Sequence, residues 1–385
     1  MRGAVDVDAV VDLTRELVAV DTQNPPGNEA AVVGVCREAL APFGARFEEF
    51  EPAPGRTSLV ATVGTGEPGR PTLIVNGHLD VVPVDPAGWT WPPFACERDG
   101  NRLYGRGTAD MKGGIAAAVV ALDTLRRAGR EPGCDLVFHL VADEERGGEL
   151  GTGAMVAAGL LKGDACVVPE PTDLRVCVAE RGIVTATVVV HGRPAHAGNP
   201  RDGVSAVELA AKVVLALHAA EFEGSHPLLG SPSCNVGEIA GGTGHNTVAE
   251  RCTLVLDRRV LPGATPASVE KELREKIESV DDPDLRYDLA LGVFGEASEL
   301  DPADPFVARV QRALAAVLGT EQPVVGMTFA TDARFVRNEA GIPAVVCGPG
   351  AIEQAHVHDE WVSVDRLADA TAVFAELYAG FSADA

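Results

Sequence analysis

The chain has 385 residues, of which 46% are hydrophobic and 5% aromatic, and its 32 basic against 56 acidic side chains give a formal charge of −24. That length exceeds what one ordinary core holds and implies about two domains. So acidic a surface should repel nucleic acid and anionic membranes. The opening residues 1–17 are interrupted early by acids and contain no apolar run suited to a signal peptide or a membrane span, so a cytoplasmic location is expected.

In chain order, residues 6–20 carry apolar side chains at helical spacing, TQNPPGNE is a Pro/Gly break, and residues 28–42 read as a second helix. TSLVATVG and PTLIVNG read as strands. Residues 113–128 form an Ala-rich helix whose basic last turn suits the helix dipole. CDLVFHLVA and DACVVP are short, nearly continuous apolar runs, as in strands buried on both faces of an α/β sheet. Near residue 181 the texture changes. IVTATVVVHG alternates like a half-exposed strand, followed by a helix at about 203–220, strands in SPSCNVGEIAGG and RCTLVLDRRVL, a helix at about 266–279 and a last strand in LRYDLALGV. This β-α-β-β-α-β order predicts a small α+β domain at 181–294 inserted into an α/β domain made of 1–180 and 295–385. The chain then returns to a helix (305–318), a strand (PAVVCG) and a final helix (365–380). Eight cysteines, none in a C-x-x-C pair and several inside apolar runs, read as buried reduced thiols.

The chemistry gathers just past the apolar strands. His78 and Asp80 follow LIVNG, Glu144 and Glu145 follow LVFHLVA, Glu170 follows ACVVP, and His356 comes soon after AVVCG. In open α/β sheets that edge is where ligands bind. Any one of these residues alone would be read as a turn or cap residue; four strands delivering His and carboxylate to one edge point to a site. Histidine and carboxylate without cysteine suit zinc, and equally manganese or cobalt. His78 and Asp80 are two apart and share a face on a strand, so Asp80 can reach the far ring nitrogen and fix the tautomer. The adjacent Glu144 and Glu145 suggest one carboxylate for metal and one for proton transfer. If Asp110, Glu145 and Glu170 converge within about 6 Å, each pair repels by roughly 3 kcal/mol at an effective dielectric of about 20. Two divalent cations would remove that repulsion.

NGHLDVVP, GRGTADMKGG, ADEERGG, PEPT and AHVHDEW, in that order and covering nearly the whole chain, resemble the M20 metallopeptidases, nearest their acetylornithine deacetylase and succinyl-diaminopimelate desuccinylase branch. The resemblance implies a zinc-peptidase-like catalytic domain with an open mixed sheet and a ferredoxin-like lid or dimerisation domain. It implies two Zn2+ per subunit, with Co2+ or Mn2+ as substitutes: His78 and Glu170 on the first, Glu145 on the second, and Asp110 bridging, with a cis peptide after it. His356 is the remaining ligand, being three residues before the Asp of the DE pair, with His358 as the competing choice. Asp80 orients His78, and Glu144 is the general base. In the inserted domain HGRPAHAGNPRDGVSA resembles the family's lid motif, which makes His196 an oxyanion stabiliser reaching across a homodimer. Asn246, Arg258 or Arg259, and Arg334 in TDARFV resemble substrate contacts. The implied reaction is hydrolysis of the amide bond of a small N-acyl amino acid. A dipeptidase or carboxypeptidase with the same metals is the neighbouring reading, and a metal-binding pseudo-enzyme is the non-catalytic one.

Overall fold

The computed structural model describes residues 1–382, and the chain divides into two compact units. The first comprises Met1–Val178, Leu300–Val325 and Thr331–Ala385; the second comprises Ala179–Glu299 and Gly326–Ala330.

In chain order the first unit opens with helices α1 (Val7–Val18) and α2 (Val33–Leu40). Strands β1 (Arg46–Phe50), β2 (Ser58–Val63), β3 (Thr72–His78), β4 (Glu97–Asp99) and β5 (Arg102–Tyr104) follow. Next come α3 (Lys112–Arg127), β6 (Asp135–Val141), α4 (Thr152–Ala157), β7 (Ala165–Pro171) and β8 (Val176–Glu180), which runs on into the second unit. The second unit adds β9 (Gly182–His191), α5 (Ala206–Leu217), β10 (Ser233–Gly241), β11 (Arg251–Val260), α6 (Pro266–Glu278), β12 (Arg286–Gly295) and β13 (Ser298–Glu299). The return through the first unit brings α7 (Pro305–Leu318), β14 (Val324–Met327), α8 (Ala333–Asn338), β15 (Ala344–Gly348), β16 (Trp361–Ser363) and α9 (Val364–Gly380).

The main sheet is open and mixed, as expected. Its strands run in the order β1-β2-β6-β3-β7-β15-β8. The central pairs β6–β3, β3–β7 and β7–β15 are parallel, while β1–β2 and β2–β6 are antiparallel. The central strands are buried on both faces, which is why they read as nearly continuous apolar runs, with His139 the polar residue in the middle of β6. Helix α3 packs on α1, α9, β3 and β7, and its Ala-rich sequence lets those elements approach closely. Residues 28–42 are not one helix. They form a 3-10 turn, α2 and a second 3-10 turn, because Pro42 cannot continue the hydrogen-bond ladder and Glu29 is drawn into a buried ion pair.

In the second unit an antiparallel sheet, ordered β10-β11-β9-β12, carries α5 and α6, and the β-α-β-β-α-β order is the ferredoxin-like arrangement. The alternation of β9 sends Val184, Ala186, Val188 and Val190 into the core with Leu209, Val213, Leu254 and Leu273.

Candidate metal centre

The order β6-β3-β7-β15 of parallel strands lines up their carboxyl ends. His78 closes β3, the turn Asp143–Glu144–Glu145 follows β6, Glu170 is near the end of β7, and His356 lies in the loop after β15. Asp110 arrives from the turn before α3, with a cis Asp110–Met111 peptide. The glycines of TADMKGG permit this placement. A Cβ on Gly114 would lie 2.1 Å from the carbonyl oxygen of Pro169, so only glycine lets α3 press against β7 beside Glu170.

Two triads result, each with its candidate ligand atoms within 4.8 Å of one another: His78, Asp110 and Glu170, and Asp110, Glu145 and His356. Asp110 belongs to both. Its Oδ1 is 2.9 Å from His78 Nε2, and its Oδ2 is 3.2 Å from His356 Nε2. His78 Nε2 is also 3.4 Å from Glu170 Oε1, and His356 Nε2 is 3.1 Å from Glu145 Oε2. Glu144 belongs to neither triad, yet its Oε2 is 3.9 Å from His78 Nε2. His356, with left-handed backbone (φ 59°), supplies the second triad, while the ring of His358 lies against Gly88.

Asp80 is fully buried, and its surroundings differ in detail from the expectation. His78 Nδ1 meets the backbone carbonyl of Asp80 at 2.9 Å, while the carboxylate stands 3.6 Å off. The carboxylate is engaged elsewhere. It accepts the N–H groups of Glu144 and Glu145 and the side-chain amide of Asn24. Asp80 therefore holds the turn that carries both glutamates as well as flanking the histidine. Glu360 plays a similar part for Asp110. Buried beside Arg106, it accepts the N–H groups of Gly107, Ala109 and Asp110. Sequence reasoning gave no role to Asn24, Asp143 or Glu360: Asp143 lies within ADEERGG and Glu360 within AHVHDEW, while Asn24 stands in a segment that reads only as a Pro/Gly break.

The electrostatics suit a cation. Burial and the neighbouring Asp110 raise the Glu170 pKa to about 8. Glu145 is raised by burial and by Asp110. Burial, reinforced by Glu170 and Glu145, lifts Glu144 well above the carboxylate range. Burial opposes a charged His78, but Glu170 and Asp110 outweigh it, and hydrogen bonds to Asp110 and Glu145 push His356 to about 10. Four carboxylates thus compete for positive charge around two imidazoles. One oxygen, Glu145 Oε1, is buried with no hydrogen-bond partner. Nitrogen and carboxylate donors grouped this way fit two divalent cations.

Arg334 lies in the first unit, bonded to the carbonyl of Gly147 and stacked on Phe335. The remaining candidates belong to the second unit. His196 and Asn246 are exposed and adjacent: the Ala197 N–H donates to the Asn246 carbonyl, and His196 bridges to Thr247. Arg259 is held by Asp257. Arg258 is 1% exposed, pairs with Glu272 at 2.7 Å, donates to the Ser233 carbonyl and lies 3.7 Å over Phe222, so its side chain is built into that unit's own core.

The sequence profile described as Peptidase family M20/M25/M40 matches residues 74–379, which span every residue of both triads. The chain belongs to this family. An acetylornithine deacetylase from Vibrio atlanticus is 31% identical over 362 residues, covering 92% of each chain. Among solved structures, aminopeptidase PepT from Bacillus cereus superposes with a TM-score of 0.81 at 22% identity, over 98% of this chain and 99% of that one. The YXEP protein of Bacillus subtilis, a dinuclear metal-binding M20 peptidase, gives 0.72 at 16% identity over 97% of each chain. At those identities the likeness concerns the fold. As an M20 member this chain is a metal-dependent hydrolase acting on carbon–nitrogen bonds.

Proposed function

We propose that this chain hydrolyses the amide bond of a small N-acyl amino acid, as a deacetylase or desuccinylase, with Zn2+ as its ion and Co2+ or Mn2+ as substitutes. The observation that carries the reading is the division of labour at one buried point: Asp110 splits its oxygens between two triads, and Glu144 stands beside them outside both. His78, Asp110 and Glu170 would hold one ion, and Asp110, Glu145 and His356 the other. When bound, the pair supplies Lewis acidity toward the amide carbonyl and toward water. Glu144 takes the proton of the attacking water on its carboxylate and returns it to the leaving nitrogen. Burial raises the proton affinity of the Glu144 carboxylate, which suits a group that must take up a proton and then pass it on. Asp80 keeps Glu144 and Glu145 in register through their N–H groups.

His196 is assigned to the oxyanion, supplied by a second copy in a homodimer formed through the lid domain; its exposure beside Asn246 supports this. Asn246, Arg259 and Arg334 remain the proposed substrate contacts. No helix among the described residues is long and apolar enough to cross a membrane. All eight cysteines are free and buried, which supports a reducing, cytoplasmic setting. The test is a panel of N-acetyl amino acids, N-succinyl amino acids and dipeptides, read by amine release from metal-loaded protein. Turnover confined to the dipeptides would replace the deacylase reading with the peptidase one.

A further inference from the structure

The turn that carries Glu144 and Glu145 is held by a second buried layer, which the reaction as described leaves without a role. Asp143 has left-handed backbone (φ 74°), a conformation that costs free energy for a residue with a side chain unless its neighbours hold it. Three fully or nearly buried side chains, Arg56, Glu29 and Asn24, do so. Arg56 Nη2 lies 3.0 Å from Asp143 Oδ1 and 2.6 Å from Glu29 Oε1, and Arg56 Nε donates to Glu29 Oε2 at 2.8 Å. Glu29 in turn accepts the backbone N–H of Asp143 at 3.2 Å. The single amide nitrogen of Asn24 donates to Asp80 Oδ2 at 2.8 Å and to Asp143 Oδ1 at 3.3 Å. Asp143 Oδ2 closes the turn on the N–H of Leu150. Glu29 is 0% exposed, Asn24 3% and Asp143 4%.

Such a layer is a poor means of stabilising a fold. Desolvating a guanidinium and two carboxylates costs several kcal/mol per ion, and apolar side chains of equal volume often do as well or better. What charged, bidentate groups provide here is direction. Arg56 ties Glu29 and Asp143 together through its guanidinium, and Glu29 fixes the Ala142–Asp143 peptide, one peptide ahead of the one that enters Glu144. We propose that Arg56 and Glu29, acting through Asp143, are positioning residues for the Glu144–Glu145 pair, and that Asn24 locks the same turn to Asp80. None of the three touches the carboxylate of Glu144 or Glu145, so each acts at one remove. This inference rests on the assignment of Glu144 as proton carrier and Glu145 as ligand.

The consequence is selective. A shifted turn displaces Glu145, which serves only the triad with His356, and leaves His78 and Glu170 in place. Arg56→Met, Arg56→Lys and Glu29→Gln are measured in the full metal-loaded chain for kcat, KM, melting temperature and zinc retained after dialysis against a weak chelator. Arg56→Met and Glu29→Gln should lower kcat by roughly 30-fold or more with KM within about threefold, since a displacement near 1 Å can cost about 100-fold. Both should shed one zinc equivalent at a chelator concentration that leaves the other bound. Arg56→Lys, which keeps the charge but loses the fork, should recover part of kcat. Glu29→Gln, nearly isosteric, guards against a variant that simply fails to fold. Unchanged kcat per folded chain with a lowered melting temperature, or parallel loss of both zinc equivalents, would overturn the inference. Glu144→Gln runs alongside. If it stays active, the proton-carrier assignment fails while the one-zinc readout still judges the positioning role. If it is inactive and the Arg56 and Glu29 variants match wild type in both readouts, the positioning role alone fails.

Discussion

His139 offers a quantitative test of the first unit's core. It lies in the middle of β6, opposite Asn76 on β3, is 0% exposed, and neither ring nitrogen has a hydrogen-bond partner. Burial alone lowers its pKa from the ordinary 6.5 to about 4. The folded chain therefore refuses a proton that the unfolded chain accepts. The stability associated with neutral His139 is complete above about pH 6.5 and drains away as pH falls toward about pH 4. A gap of about 2.5 units at about 1.4 kcal/mol each amounts to roughly 3 kcal/mol. His139→Leu removes the titrating group and also two unpaired buried nitrogens, so the variant should be more stable near neutral pH by about 1–3 kcal/mol. The assay is urea unfolding of both proteins across that pH range, followed by tryptophan fluorescence. Trp89, Trp91 and Trp361 all belong to the first unit, so the signal reports the right core. The difference between the proteins cancels the acid lability they share at the metal centre. That difference should widen by roughly 3 kcal/mol between about pH 7 and about pH 4. A difference that stays constant with pH would show that His139 does not lose its proton on folding.

The remaining expectations concern the site and its supports. His356→Ala should leave one zinc per chain by elemental analysis, and Asp110→Ala should leave neither, because only Asp110 serves both triads. Gly114→Ala, with its Cβ 2.1 Å from the Pro169 carbonyl, should cost about 1–3 kcal/mol of stability by denaturant titration and lower activity by displacing Glu170. Glu360→Ala strips the acceptor from three N–H groups at Gly107, Ala109 and Asp110; it should weaken retention of both metals in competition with a chelator. Arg258→Ala should destabilise the second unit by about 2 kcal/mol or more through loss of its Glu272 pair and its place over Phe222, with KM for the acyl amino acid little changed.

What the sequence made legible follows physical rules. The parallel strands β3, β6, β7 and β15 are apolar on both faces and bounded by Gly, Asp or Pro, so they announce themselves, and their ends locate His78, Glu145 and Glu170. The alternation of β9 and β11 likewise reads directly as one buried face. Edge elements were silent. β1 is RFEEF, charged and mostly exposed, and the small β16-β5-β4 sheet has strands of three residues, too short for any period to show. The buried support of the site was also silent. Glu29 and Arg56 are 27 residues apart, and Glu360 lies 250 residues from the Asp110 N–H it accepts, so no local pattern links them. A charged residue normally belongs at the surface, and only the folded chain shows which ones are enclosed.

In the proposed function, two divalent ions at His78, Asp110, Glu145, Glu170 and His356 enable cleavage of an N-acyl amino acid. Its most direct test is amine release from the best substrate of the panel, measured as zinc is added back stepwise to chelator-stripped protein. Stripped protein should show no turnover, and activity should rise to a plateau at two equivalents per chain. Full turnover by stripped protein, or zinc-loaded protein that releases no amine from any N-acyl amino acid, would contradict it.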